Sequence, residues 1–135
     1  MTTCPSTSVT VEKEHEGVLS TVTIDLSVSG SEFGIYIRDY LITRDLDPLP
    51  ECAALYPSAE QLYRACLAGA SEGIINTSRD FRDSCGRVTY TRLSGTRLPV
   101  TCATGFAVAA SLALLRALNR PEQLTRSMDG WRIVT

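Results

Sequence analysis

Apolar and polar residues alternate cleanly near the start of the chain. Val9 and Val11 are interleaved with Ser8, Thr10 and Glu12, and Val22, Ile24, Leu26 and Val28 with Thr21, Thr23, Asp25 and Ser27. A period of two is that of a strand with one wet face and one buried face. Glu16-Gly17 supplies the turn, and matching the apolar rows sets Val9 opposite Ile24 and Val11 opposite Val22. Residues 1–7, rich in Ser, Thr and Pro, read as a loose tail ahead of a single domain over 8–135.

The pattern then lengthens. Phe33, Ile37, Tyr40 and Leu41 fit one helical face, although Gly-Ile-Tyr-Ile is also strand-like, and the spacing predicts a helix over 33–44. Residues 47–57 form a proline-punctuated connection. Ser58 followed three residues later by Gln61 is a capping box, opening a helix that buries Leu62, Ala65, Cys66 and Ala70. Arg87–Leu93 and 97–101 read as a second hairpin around Ser94-Gly95. Residues 104–119 are apolar almost all round, which predicts a helix at the centre of the domain. Trp131-Arg132-Ile133-Val134 reads as a terminal edge strand. Together these predict an α+β fold: two β-hairpins in an antiparallel or mixed sheet against about three helices, with helix 104–119 the most buried.

Composition changes this picture little. At 135 residues, with 44% hydrophobic and 21% charged residues, the chain is long and apolar enough for one core. Residues 98–115 carry no charge, but proline, threonine and glycine at the front and Arg116 and Arg120 at the back favour a strand and a buried helix over a membrane span. Cys4, Cys52, Cys66, Cys85 and Cys102 are odd in number and widely spaced, which argues for buried free thiols rather than a disulfide framework or zinc site. With no basic-then-apolar start, a cytoplasmic setting is expected.

Charge does change it. Residues 1–78 hold eleven acids against four bases, and residues 79–135 hold nine arginines against four acids. Such a division points to a partner: an anion, a nucleic acid or a second copy of the chain. The second hairpin sharpens the point. A Ser94-Gly95 turn sets Arg92 across from Arg97 with Tyr90 on the same face, and Arg87 on the other if the strand is regular. Like charges opposed on a sheet repel, so Asp80, Asp83 or an outside anion is expected to offset them. Asp39, Asp45, Asp47 and Glu51 cluster further back and read as solvated surface.

Catalytic chemistry has one candidate. Cys102 falls between a strand and a helix, where the helix N-terminus stabilises a thiolate. Over about 20 residues, mostly leucine and alanine, the stretch 102–121 resembles the nucleophile helix of transglutaminase-like cysteine enzymes. That resemblance implies a histidine and then an acid after the cysteine, and no histidine follows Cys102. The single histidine, His15, belongs to the first turn. Phosphate-loop, dinucleotide, nucleophile-elbow and zinc-protease motifs are absent from the sequence, so no cofactor or metal is expected.

The sequence therefore predicts a non-catalytic protein–protein interaction module, an adaptor, inhibitor or self-associating protein, with Arg87, Tyr90, Arg92 and Arg97 as the binding residues and a protein partner or homodimer as the target. A nucleic-acid or phosphate site at Arg87, Arg92 and Arg97 is the first alternative, and a cysteine-dependent enzyme at Cys102 the second.

Overall fold

The computed structural model describes residues 6–79, 85–120 and 130–134. Strand β1 (Thr7–His15) turns directly into β2 (Val18–Ser29). Glu16 and Gly17 both have positive φ, 51° and 80°, as the tight primed hairpin turn requires. Val9 pairs with Ile24 and Val11 with Val22, the register the apolar rows dictate.

Residues 33–44 are not a helix. They form a short strand β3 (Gly34–Tyr36), a single 3-10 turn (Asp39–Leu41) and the start of strand β4 (Thr43–Pro48). Both strands run parallel to β5 (Arg87–Leu98), which gives their backbones a ladder and suits the β-branched and aromatic run. Helix α1 (Pro50–Leu55) occupies the proline-rich connection, with a proline in its first turn. Helix α2 (Ala59–Ser78) begins with the full capping box: Ser58 Oγ accepts from the Gln61 amide, and Gln61 Oε1 accepts from the Ser58 amide, each at 3.1 Å.

The second hairpin is also replaced. β5 is one uninterrupted strand that pairs along almost the whole length of β2. Gly95 does not turn the chain. It lies opposite Val22, and the space its missing side chain leaves is filled by Leu98, whose Cδ2 lies 2.5 Å from where a Cβ would stand. Helix α3 (Cys102–Ala117) follows, and strand β6 (Arg132–Ile133) pairs with β1 at the far edge.

The result is a six-stranded mixed sheet in the order β3-β5-β2-β1-β6, with β4 beside β3 on the same flank of β5. α3 packs across β1 and β2, and α2 packs on α3, so the sheet is covered on one side. α3 is the most buried helix, with Phe106, Ala109, Ala110, Ala113 and Leu114 inaccessible to solvent. Gly69 and Gly73 on α2 let the two helices meet at backbone contact: a Cβ on either would lie 2.3 or 2.2 Å from the carbonyl oxygen of Ala103 or Ala107. Among the described residues no helix is long and apolar enough to cross a membrane.

Candidate functional site

The arginines of β5 are arranged by a bulge. The β2–β5 register slips between Asp25 and Leu26, so that Asp25 faces Arg92 while Leu26 faces Tyr90, leaving Thr91 unpaired. That extra residue reverses the alternation. Arg87, Thr89, Arg92 and Ser94 therefore share the open face of the sheet, whereas a regular strand would have separated Arg87 from Arg92. Tyr90 falls on the other side. It is buried, and its hydroxyl lies 3.1 Å from Ser71 Oγ, so it does not sit among the arginines on the surface. Arg97, at the end of the strand, has a positive φ of 52°, and its carbonyl accepts a 2.7 Å bond from Ser20 Oγ.

Arg92 does not face Arg97. Its Cα partners are Asp25 on β2 and Thr43 on β4. Among the described residues no carboxylate is within ion-pair distance of Arg87, Arg92 or Arg97. The guanidinium of Arg87 instead lies 4.1 Å from the centre of the Tyr36 ring. Asp80 and Asp83, the expected counter-ions, lie outside the described residues. On the same face one carboxylate oxygen of Asp25, Oδ1, is enclosed with no hydrogen-bond partner among the described residues.

The flank of β5 that carries β3 and β4 is the second feature. β4 pairs with β5 alone, so its outer edge is an unpaired ladder among the described residues. The turn between β3 and β4 presents large side chains to solvent: Tyr40 is 81% exposed and Leu41 53%, with Tyr36 and Ile37 also exposed. Along this margin the open face is positive through Arg87 beside β3 and Arg92 beside the first residue of β4, and negative further on, through Asp45 and Asp47 of β4.

On the helix side of β4 lies a cavity of about 370 Å³, lined largely by Leu46, Pro48, Ala53, Tyr56, Leu62 and Tyr63. A charge network closes one end. Arg44 bonds Glu60 at 3.1 Å and lies 3.6 Å from the Tyr63 ring centre; Arg64 bonds Glu60 at 2.9 Å and Asp39 at 3.0 Å. The Tyr63 hydroxyl donates to Asp39 at 2.8 Å. That bond, with Arg64 and Arg44 nearby, holds the Asp39 carboxyl below its usual range. Burial, and then the Asp39 carboxylate, push the Tyr63 hydroxyl up to about 12.

The third feature escapes motif reading altogether. Cys52 of α1, Cys66 of α2 and Cys102 at the start of α3 converge, with the Cys102 sulfur 3.9 Å from each of the other two. Hydrogen bonding by the Cys66 thiol, helped by Cys52 and by the amides of Ala103 and Cys102, brings the Cys102 thiol down to about 7 against the opposing effect of burial. Burial and the adjacent Cys102 push Cys52 up to about 12, and the bond to Cys102 followed by burial pushes Cys66 up as well. All three side chains, and Cys85, are fully buried and free of disulfides. His15 is at the first hairpin, its side chain 76% exposed. The cluster thus lowers the pKa of the Cys102 thiol but gives it neither a histidine partner nor an opening to solvent. Among the described residues no group of thiols, carboxylates and imidazole is arranged to hold a metal ion.

The chain matches no protein-family model, and no curated protein is similar to it in sequence.

Proposed function

We propose that this chain is a non-catalytic interaction module and that its contact surface is the β3–β4 margin of the sheet. The observation that supports this best is the company kept there. Arg92, without an ion-pair partner among the described residues, and Tyr-stacked Arg87 share a sheet flank with exposed Tyr40, Leu41 and Ile37 and with a strand edge unpaired among the described residues. Tyrosine and arginine, with tryptophan, are enriched among the side chains that dominate binding energy at protein interfaces. An open edge adds main-chain hydrogen bonds that a partner can complete. Charges of both signs on the margin would guide orientation and rate of encounter more than affinity. Asp25, Asp45 and Asp47 interrupt the basic surface, which favours a protein over a polyphosphate chain as the target. The buried free thiols of Cys52, Cys66, Cys85 and Cys102 suit a reducing, cytoplasmic setting.

Size-exclusion chromatography with light scattering, run as a salt series and followed by mass spectrometry of co-purifying species, tests this. The expected result is an oligomer or complex that dissociates as salt rises and is lost from the Arg87→Glu, Arg92→Glu variant. A strict monomer that retains nothing at low salt would remove the margin as a functional surface. Nucleic acid released with a steep salt dependence would transfer the role of Arg87 and Arg92 to phosphate binding.

A further inference from the structure

Deepening the interaction reading, and resting on it, we propose that the partner is a second copy of this chain, joined through antiparallel pairing of the two β4 edges about a two-fold axis. Two-fold dimers are the commonest assemblies, and their interfaces must complement themselves. The margin has that property. Its positive end (Arg87, Arg92) and its negative end (Asp45, Asp47) lie in sequence along one edge, so antiparallel apposition brings the positive end of each copy towards the negative end of the other.

The register follows from elimination among the centres that overlap β4 with itself over at least three residues, of which Asp47 sets that aspartate against its own copy. Residues opposed across a two-fold normal to the sheet share a face, so the axis falls on a residue. Centred on Asp45, the pairing sets Asp45 against the partner's Asp45. Centred on Leu46, it sets Asp45 against the partner's Asp47. Both oppose like charges on the open face, which is destabilising. Centred on Arg44, it sets Thr43 against the partner's Asp45. Behind Thr43, in the next strand, stands Arg92, its Cα partner on β5. Two strand spacings, roughly 9.6 Å, then separate the α-carbons of Arg92 and the partner's Asp45, with only threonine between them. An arginine side chain spans most of that distance.

The one like-charge opposition left is Arg44 against the partner's Arg44. It falls on the helix side, where each guanidinium is already held by Glu60 and the Tyr63 ring. The same two-fold brings the turn bearing Tyr40 and Leu41 of one copy against the Leu46–Pro48 end of the other, where the largely apolar cavity lies. Exposed apolar side chains and an open apolar hollow are thereby matched within one self-complementary surface.

Sedimentation equilibrium of the full chain over a wide concentration range tests the assignment. All substituted positions are exposed, and far-ultraviolet circular dichroism confirms that each variant is folded. The wild type is expected to dimerise reversibly. Asp45→Arg and Arg92→Asp, each acting twice across the two-fold, are each expected to weaken the dimer at least ~10-fold. The double variant carrying both exchanges is expected to recover most of the loss, because the ends are complementary again with their signs reversed. A dimer indifferent to both single exchanges, or a double variant no better than the singles, would overturn the register. A wild-type monomer at every concentration would overturn the homodimer. If that monomer still binds a co-purified protein in an Arg92-dependent manner, the interaction module survives without the second copy. If it does not, both fall.

Discussion

Replacing Gly69 and Gly73 by alanine is expected to destabilise the protein, and the sign alone is informative. In an exposed stretch of helix, glycine to alanine stabilises by about 0.8–1.0 kcal/mol. Here the added methyl would stand 2.3 Å from the Ala103 carbonyl oxygen at position 69 and 2.2 Å from that of Ala107 at position 73. The obstacle in each case is helix backbone, which no rotamer change relieves. Comfortable separations for such atoms are about 3.5 Å, so α2 and α3 must part by roughly 1 Å. α3 is meanwhile held from the other side by β1 and β2. Overpacking of this kind costs about 1–3 kcal/mol. Set against the propensity gain, a net loss of up to about 2 kcal/mol per single variant is expected, with the double variant less than additive because one separation serves both sites. For a domain of this size that lowers Tm by up to about 8 °C. Urea and thermal denaturation followed by circular dichroism measure it. Ala68→Gly, exposed on the same helix, serves as a control expected to lose about 1 kcal/mol through propensity alone. Stability at or above wild type in Gly69→Ala and Gly73→Ala would refute backbone contact between the helices.

Two further outcomes test other parts of the structure. In the native protein Cys52, Cys66, Cys85 and Cys102 are expected to resist iodoacetamide at neutral pH and to react only as fast as the protein unfolds, despite the lowered pKa of Cys102; rapid native labelling of Cys102, mapped by mass spectrometry, would restore the cysteine-enzyme reading. Tyr63 and Tyr90, both raised to about 12, titrate later in the folded than in the unfolded chain. Their contribution to stability is therefore complete below about pH 10 and is lost as pH rises towards 12. Tyrosinate absorbance should show this late component, and Tyr63→Phe, Tyr90→Phe should remove most of it, leaving Tyr56, which burial also shifts upward.

What the sequence made legible was local. The first hairpin, its register and its turn follow from period-two patterning and a Gly at the one position with φ of 80°. The Ser58–Gln61 box and the burial of α3 follow from equally short-range signals. What escaped depends on pairings distant in sequence. The strand-like run Gly-Ile-Tyr-Ile competes with a helical spacing of Phe33, Ile37, Tyr40 and Leu41, and what decides for strand is the parallel edge of β5, some fifty residues later. Ser94-Gly95 has the composition of a turn, yet glycine stands there to admit Leu98.

The candidate site shows the same division. Charge and regular alternation set Arg92 with Arg97 and Arg87 on the other face, whereas Arg87 and Arg92 share the open face. The bulge at Thr91 was not legible, and it sends Tyr90 into the core and unites the two arginines. The convergence of Cys52, Cys66 and Cys102 was equally hidden, because three helices contribute one thiol each at no motif spacing.

Backbone hydrogen exchange at low and high protein concentration addresses the contact surface most directly. Pairing of the β3–β4 margin predicts that amides within 42–46 gain protection as concentration rises, while those of β1 and β2, already inside the sheet, do not change. Protection that is independent of concentration along 42–46, or that appears instead on α2 or at the β6 edge, would contradict self-pairing through this margin.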